Sequence, residues 1–211
     1  MYFPLLIDLK KSKVLVVGGG SVSTRKVKNL IDYQCLPDII SPAITDELNE
    51  IIKKNGIRWV KRIYARGDAF LYSLVFCSTG DLKADNLVHF DCSEKGILLN
   101  VADVPDLCSF ILPATVKRGN LTVSAASQGS APFFIKSVRE MLENIFPSEY
   151  SEITELAGEF RELVLNRKAI ISSNGKEDMF REFLKVNWIK LIRESGMEIA
   201  KKTMYDILNL K

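Results

Sequence analysis

The feature that most constrains the fold is an apolar run leading into three consecutive glycines, the segment VLVVGGGSVS that begins at Val14. Four branched apolar residues in a row are typical of a strand buried on both faces of a parallel sheet. The residues from Ser21 to Tyr33 then predict a helix. In such a strand–turn–helix unit, Gly18 would permit the tight turn, Gly20 would let a ligand approach the backbone, and the small Ser23 would let the helix pack closely.

This pattern predicts a dinucleotide site, because the free N–H groups and positive dipole at a helix N-terminus favour phosphates. A glycine turn with a purely structural role is the alternative. The predicted second strand, from about Pro37 to Ser41, is followed by Pro42 and Ala43. Neither an acidic residue for a ribose hydroxyl nor an Arg for a 2′-phosphate stands there, so NAD is favoured over NADP. The expected cofactor-binding residues are Gly18, Gly20, Ser21, Val22, Pro42 and Ala43.

The first hundred residues alternate between strand and helix patterns. Further helices are predicted at about 45–54 and 82–94, and further strands at 56–60, 73–77 and 97–101. This rhythm predicts a Rossmann-like α/β domain with a parallel sheet over residues 1–112.

The pattern changes at Ser109. Residues 109–116 and 120–126 are rich in β-formers and are joined by a turn at 117–119, and the loop 127–132 opens a helix. The apolar face of that helix comprises Phe134, Val138, Met141, Leu142 and Ile145. An apolar hairpin and such a helix offer more apolar surface than one small sheet can cover, so residues 113–147 are predicted to form a dimerisation segment.

The remaining residues, 148–211, predict a helical domain with two apolar stripes. A loop at Ser172–Gly175 is predicted to separate the stripes. The first stripe comprises Ile153, Leu156, Phe160 and Leu163, and the second comprises Phe180, Leu184, Trp188 and Leu191.

Composition excludes several classes of function. The net charge of +3 is mild, and no basic cluster alternates with aromatic residues as in a nucleic-acid site. No apolar run approaches the roughly 20 residues that span a bilayer, and the N-terminus lacks the basic region of a signal peptide, so a cytoplasmic protein is expected. The four cysteines show no Cys-x-x-Cys spacing and there is one histidine, His89, so no metal site is predicted.

Several short motifs in a fixed order carry a resemblance to a known family. They are Phe3–Leu9, Val14–Ser23 with Arg25-Lys26, Asn100–Asp103, Cys108–Ala114, Arg118–Val123, Ser127–Pro132 and Arg139-Glu140. With these motifs the chain resembles the precorrin-2 dehydrogenase family, the N-terminal module of siroheme synthases that also exists alone. The resemblance covers about residues 1–147.

The resemblance implies an NAD-dependent oxidation of precorrin-2 to sirohydrochlorin on the route to siroheme. It also implies a homodimer, joined through the β-rich segment and the helix after it. Some members of the family additionally insert ferrous iron into sirohydrochlorin, whereas others only dehydrogenate. The alternative is a catalytically silent Rossmann module that senses NAD or binds a partner enzyme, since a fold does not settle a function.

Asp103 follows the predicted fifth strand, at the edge where open α/β sheets bind ligands. It matches the family aspartate linked to dehydrogenation and chelation, and a carboxylate there could accept a proton or orient the ring nitrogens. The alternative is a cap of the turn that begins at Val104.

The resemblance also supplies candidates for substrate binding. Ser127 matches the family's active-site serine, followed here by Gln128 where the family usually has glycine. Arg118 and Arg139, with Lys117 and Lys136, could pair with the carboxylates of the substrate. Each of these basic residues could equally be a solvated surface charge.

Overall fold

The computed structural model describes residues 1–166 and 173–209, and the chain forms two compact units, Met1–Ile111 and Leu112–Lys211. The first unit corresponds to the domain expected over residues 1–112. The segments expected over 113–147 and 148–211 together make up the second unit.

The first unit contains one five-stranded parallel sheet with the strand order β3-β2-β1-β4-β5. This architecture confirms the predicted α/β fold class. Its strands are β1 Val14–Val17, β2 Asp38–Ile40, β3 Trp59–Val60, β4 Leu74–Cys77 and β5 Leu98–Val101, and its helices are α1 Ser21–Asp32, α2 Asp46–Asn55 and α3 Leu82–Lys95.

Strand β3 is shorter than the 56–60 run predicted from the sequence. Gly56 adopts a left-handed conformation as the C-cap of α2, and the N–H of Ile57 donates to the carbonyl of Ile52. These two residues therefore complete the end of the helix, as in a left-handed C-terminal cap, and only Trp59–Val60 pair with β2.

Helices cover both faces of the sheet, which explains the unbroken apolar run of β1. Val14 and Val16 pack in one cluster with residues of α1 and α2, such as Val27 and Leu48. Leu15 and Val17 pack in a second cluster with residues of α3. Alternate side chains of β1 therefore fill two different cores, so no position in the strand is open to a polar residue.

The strand order reverses direction between β1 and β4, because the chain builds outward from β1 to β3 and then returns to add β4 and β5 on the other side. In open α/β sheets, the crevice at the carboxyl ends of the two strands on either side of this reversal is where ligands bind. The glycine turn after β1 and the loop after β4 lie at this point.

The second unit begins with an antiparallel hairpin of β6 Ala114–Arg118 and β7 Leu121–Ala125. Four helices follow it in the described residues: α4 Pro132–Ile145, α5 Tyr150–Asn166, α6 Ser173–Lys185 and α7 Trp188–Asn209, the last broken at Gly196. The prediction of β structure from Ser109 was wrong at its start. Ser109 instead bonds with its N–H and hydroxyl to the backbone of Leu99 along the edge of β5.

Two details of the helical prediction were also wrong. Helix α6 begins at Ser173, so most of the loop predicted at 172–175 is helical, while Ser172 lies outside the described residues. Leu184 is 78% exposed, and the neighbouring Phe183 faces the core instead. The Phe183 ring lies 4.8 Å from Phe160 and 4.5 Å from Trp188, measured between ring centroids. The i+3 rather than the i+4 position after Phe180 therefore carries the apolar stripe.

No helix among the described residues is long and apolar enough to cross a membrane.

We expect Phe160→Ala to lower the free energy of unfolding by about 3–5 kcal/mol, because the ring is almost completely buried among aromatic neighbours. The exposed Leu184→Ala is the control, expected to change stability by no more than about 0.5 kcal/mol. Urea denaturation followed by circular dichroism measures both. Equal losses in the two variants would contradict this assignment of the core.

Candidate functional site

Gly18 closes the turn after β1 in a conformation that only glycine adopts easily. Its φ is +118°, and its N–H donates to the carbonyl of Ile40 at 2.9 Å. A Cβ at this position would lie 2.4 Å from the carbonyl oxygen of Ser78, which no real Cβ approaches so closely. The turn role predicted for Gly18 therefore agrees with the geometry. The loop after β4 leaves no space for a side chain at this position.

Gly19 is equally constrained, which the sequence interpretation missed. A Cβ on Gly19 would lie 2.0 Å from the carbonyl oxygen of Ala43, and the Gly19 carbonyl accepts the N–H of Thr45 at 3.0 Å. Thr45 is also the N-cap of α2. The available signal was that Gly19 occupies the variable middle position of the Gly-x-Gly motif, where the motif does not require glycine.

Gly20 faces open space. No atom lies within 4 Å of a Cβ built on it, and it precedes α1 as an N-cap with no side-chain hydrogen bond. Ser21 is exposed and Val22 partly exposed, while the Ser23 side chain is fully buried and its hydroxyl bonds that of Ser78 at 2.7 Å. An uncapped helix N-terminus beside an open glycine suits a pyrophosphate, as the motif predicts.

The residues after β2 form a neutral corner. The Ser41 hydroxyl donates to the Ala43 carbonyl at 2.5 Å, and the Trp59 indole N–H donates to the Ser41 carbonyl at 2.9 Å. Ser41 is buried, whereas Pro42 and Ala43 are exposed beside the glycine turn. The Ser41 hydroxyl is therefore occupied within the loop, and the side chains offered to a ligand here are small and uncharged.

Asp85, a buried residue of α3, holds the loop after β4 through hydrogen bonds of its side chain. Its carboxylate accepts the hydroxyl of Thr79 at 2.6 Å and the thiol of Cys77 at 3.1 Å. Burial, followed by this hydrogen bond, raises the pKa of the Cys77 thiol far above its usual range. Cys77 therefore stays a thiol and holds the loop in place, rather than acting as a nucleophile.

Asp103 lies two residues past the end of β5, on a backbone fixed by the N–H of Ala102, which donates to the Cys77 carbonyl at 2.8 Å. Its φ is +62°, a left-handed conformation that is uncommon for residues other than glycine. The side chain is exposed and makes no hydrogen bond or ion pair within the described chain, and the turn starting at Pro105 has no side-chain cap. The capping alternative for Asp103 therefore fails.

Lys26, which the sequence analysis named only as part of the Arg25-Lys26 motif and gave no role, reaches the same region. Its ammonium donates to the Asn100 side-chain oxygen at 2.7 Å and lies 5.1 Å from the centre of the Phe76 ring. Desolvation, with the nearby Arg25, lowers the pKa of Lys26, while Cys108 and Asp103 act in the opposite direction. The structure thus places a partly buried cation in the electrostatic reach of Asp103.

Asn100 and Cys108 connect this region to the chain after β5. The Asn100 amide donates to the Phe110 carbonyl at 3.1 Å, and the Val101 N–H donates to the Cys108 sulfur at 3.1 Å. These contacts hold Cys108 and Phe110 against β5.

Ser127 lies in the second unit, at the entrance to α4. Its hydroxyl oxygen accepts the N–H of Ala131 at 3.0 Å, and its carbonyl accepts the N–H and hydroxyl of Ser130. Gln128 has a φ of +58°, so the backbone keeps here a left-handed conformation that glycine adopts at no cost. The Ser127 hydroxyl proton is not used by these contacts, which leaves it able to donate to a ligand.

The two arginines proposed for substrate binding, also in the second unit, already have protein partners. Arg118 donates to the carbonyls of Phe146, at 2.8 Å, and Lys117, at 3.0 Å. Arg139 pairs with Glu143 one helical turn later at 2.6 Å. Each guanidinium keeps further N–H donors, since it has five in all.

The His89 ring contacts the backbone of the chain after β5. Its Nδ1 lies 3.1 Å from the Leu107 carbonyl, which ties α3 to the turn after Asp103. All four cysteines are free thiols, and the described residues contain no group of three or more His, Cys, Asp or Glu placed to hold a metal ion.

Comparisons with known proteins agree with this geometry. A family model described as "Putative NAD(P)-binding", NAD_binding_7, matches residues 5–114. The siroheme synthase of Pseudomonas fluorescens (strain SBW25) is 35% identical over 160 residues, or 76% of this chain and 34% of that protein. That of Buchnera aphidicola subsp. Acyrthosiphon pisum is 26% identical over 211 residues, or 99% of this chain and 45% of that protein. The chain thus spans less than half the length of these relatives.

A solved structure named "SirC, precorrin-2 dehydrogenase" has the same fold. It superposes with a TM-score of 0.75 at 22% sequence identity, over 99% of this chain and 98% of that one. The likeness includes the second unit, of which the family model covers only residues 112–114.

We expect Gly18→Ala to destabilise the protein by about 2 kcal/mol or more, because it combines a left-handed φ with a clash against the Ser78 carbonyl. Gly20→Ala, with ordinary φ and no neighbour, should cost less than about 1 kcal/mol. Urea titration of the two variants gives the comparison. A Gly18→Ala protein as stable as Gly20→Ala would show that the turn is not held by the loop after β4.

Proposed function

The chain belongs to the NAD_binding_7 family, and we propose that it oxidises precorrin-2 to sirohydrochlorin with NAD as the hydride acceptor, on the route to siroheme. The observation that carries this proposal is Asp103. Its backbone is held in a left-handed conformation, and its exposed carboxylate has no hydrogen-bond or ion-pair partner in the described chain. It lies past β5, on the ligand-binding edge of the sheet that bears the glycine turn. The relatives named siroheme synthase and the shared fold with a precorrin-2 dehydrogenase support the choice of substrate.

The nucleotide half of the site comprises Gly18, Gly20, Ser21 and Val22, with Pro42 and Ala43 beside the adenosine. The chain's own contribution is an open approach at Gly20 and unpaired N–H groups at the start of α1. When bound, the nicotinamide ring supplies the hydride acceptor. The residues that directly follow β2, Ser41, Pro42 and Ala43, carry no charge, which is why NAD is proposed over NADP.

Asp103 handles the proton. Oxidation of the macrocycle removes a hydride and a proton, and a carboxylate without a protein partner is free to accept that proton or to orient the ring nitrogens. In the second unit, the Ser127 hydroxyl and the unused donors of Arg118 and Arg139 are proposed to bind the substrate's carboxylates.

Ferrous iron is proposed as a further substrate, inserted into sirohydrochlorin. Asp103 would then remove protons from the ring nitrogens that the iron replaces, so that one carboxylate serves both reactions. We place the protein in the cytoplasm, where its four free thiols would remain reduced.

One anaerobic experiment tests this function. Precorrin-2 and NAD are mixed with the protein, sirohydrochlorin formation is followed by absorbance, and ferrous iron is then added. We expect oxidation that depends on NAD, with iron insertion as a separate second phase. NAD binding without any turnover of precorrin-2 would overturn the proposal and support a silent NAD-sensing or partner-binding module.

We expect Gly20→Asp to abolish NAD binding measured by calorimetry, because it puts a negative charge where the pyrophosphate is proposed to lie. Gly20→Ala is the matched control and should bind NAD nearly as the wild type does, since its Cβ meets no protein atom. Normal binding by Gly20→Asp would place the phosphates elsewhere.

We expect Asp103→Asn to slow sirohydrochlorin formation by roughly 100-fold or more, the usual scale for a positioned acid or base. Asn tolerates the left-handed backbone about as well as Asp does, so stability and NAD affinity should stay nearly unchanged. Asp106→Asn removes a carboxylate three residues away as the control. Near-normal turnover by Asp103→Asn would remove Asp103 from the chemistry.

A homodimer is proposed through residues of about 113–146. Helix α4 buries none of its residues within the chain, and Phe133, Phe134, Met141 and Ile145 on it are at least half exposed. A contiguous exposed apolar surface of this kind is typical of an interface.

We expect sedimentation at micromolar concentration to show a dimer for the wild type and a monomer for Phe133→Glu, because the new charge would be buried without a partner. Phe3→Glu makes the same change at an equally exposed phenylalanine of the first unit, and should leave the dimer intact. A wild-type monomer would contradict the proposal.

A further inference from the structure

The Lys26 ammonium lacks a counter-charge of its own. It carries three N–H donors, and the one hydrogen bond it makes to the described protein goes to the neutral amide oxygen of Asn100 at 2.7 Å. Asn100 is buried and its amide nitrogen is committed to the Phe110 carbonyl. No described carboxylate lies within ion-pair distance of Lys26, although other surface lysines of this unit, such as Lys28, have such a partner. Keeping a partly buried cation without an anion is costly, which points to an anion from outside the protein.

The direction of the Lys26 side chain tells which ligand that anion belongs to. From α1 it reaches past the Phe76 ring on β4 to Asn100 on β5, the strand that leads to Asp103. The corner that is proposed to hold adenosine follows β2, on the opposite side of β1. Lys26 therefore serves the Asp103 side of the sheet, and the proposed pyrophosphate position has its own donors at the start of α1.

A substrate rich in carboxylates also needs a cation at this place. The Asp103 carboxylate would repel an anionic macrocycle that is brought against it, and like charges at close range cost free energy unless an opposite charge offsets them. Lys26 is close enough for Asp103 and Cys108 to act on its pKa. It can therefore offset this repulsion.

Building on the proposed function, we propose that Lys26 binds a peripheral carboxylate of the tetrapyrrole while Asp103 faces the ring. The Asn100 hydrogen bond and the Phe76 ring hold the ammonium in position, and its remaining N–H donors meet the carboxylate. A charge-assisted bond of this kind is worth enough to change affinity by roughly tenfold to a hundredfold.

The test compares Lys26→Met with Lys28→Met, which removes the same charge from the same helix at a residue already paired with Glu47. Sirohydrochlorin is titrated anaerobically without metal and followed by absorbance, and NAD is titrated separately by calorimetry. We expect Lys26→Met to weaken sirohydrochlorin binding by roughly tenfold or more, and to leave the NAD affinity unchanged. Lys28→Met should match the wild type in both titrations, and Lys26→Arg, which keeps the charge, should recover most of the binding.

The outcomes separate this inference from the function on which it rests. If the wild type does not bind sirohydrochlorin, the proposed function and the inference both fail. If the wild type binds it and Lys26→Met binds equally well, the function stands and the inference is overturned. A loss of NAD affinity alone would assign Lys26 to the pyrophosphate and overturn it too. Should Lys26→Met lose its cooperative thermal melt, Lys26→Gln, which retains a donor for Asn100, takes its place in the same titrations.

Discussion

The first unit depends on two backbone oxygens that press against the glycine turn. The Ser78 carbonyl lies where a side chain on Gly18 would be, and the Ala43 carbonyl lies where one on Gly19 would be. These contacts draw the carboxyl ends of β1, β2 and β4 together. The uncapped start of α1 and the corner at Pro42 and Ala43 can border one crevice only because nothing larger than hydrogen separates these loops.

Features of the first unit that follow from local sequence pattern could be predicted from the sequence, whereas features that arise from contacts between distant segments could not. The strand, the turn at Gly18 and the buried Ser23 follow from local pattern, and the position of Asp103 follows from strand counting. The extra glycine at position 19 was a signal, but its contact with Ala43 could not be predicted, because it arises from a loop 24 residues away in sequence. Lys26 was named only as part of the Arg25-Lys26 motif, and its link to Asn100 could not be predicted, since it joins a helix to a strand more than 70 residues later.

The second unit shows the same division. The apolar stripe of α5 was predictable, and Leu156 and Phe160 are buried. The burial of Phe183 in place of the predicted Leu184 was not predictable. Helix α6 ends at Lys185, so its helical period does not continue to Trp188, which begins α7. For α4 the pattern located an apolar face, yet Phe134 and Met141 on that face are exposed within the chain. Periodicity reports that a face is apolar and carries no information on what covers it.

The left-handed conformations of Asp103 and Gln128 have a consequence for how such a sequence can diverge. At both positions the backbone itself favours glycine, so mutation to glycine relieves local strain. At Gln128, glycine would keep the same backbone conformation. At Asp103 the same change would delete the proposed acid–base group. If that group is needed for the reaction, selection for activity must keep aspartate at a position where the backbone conformation favours glycine.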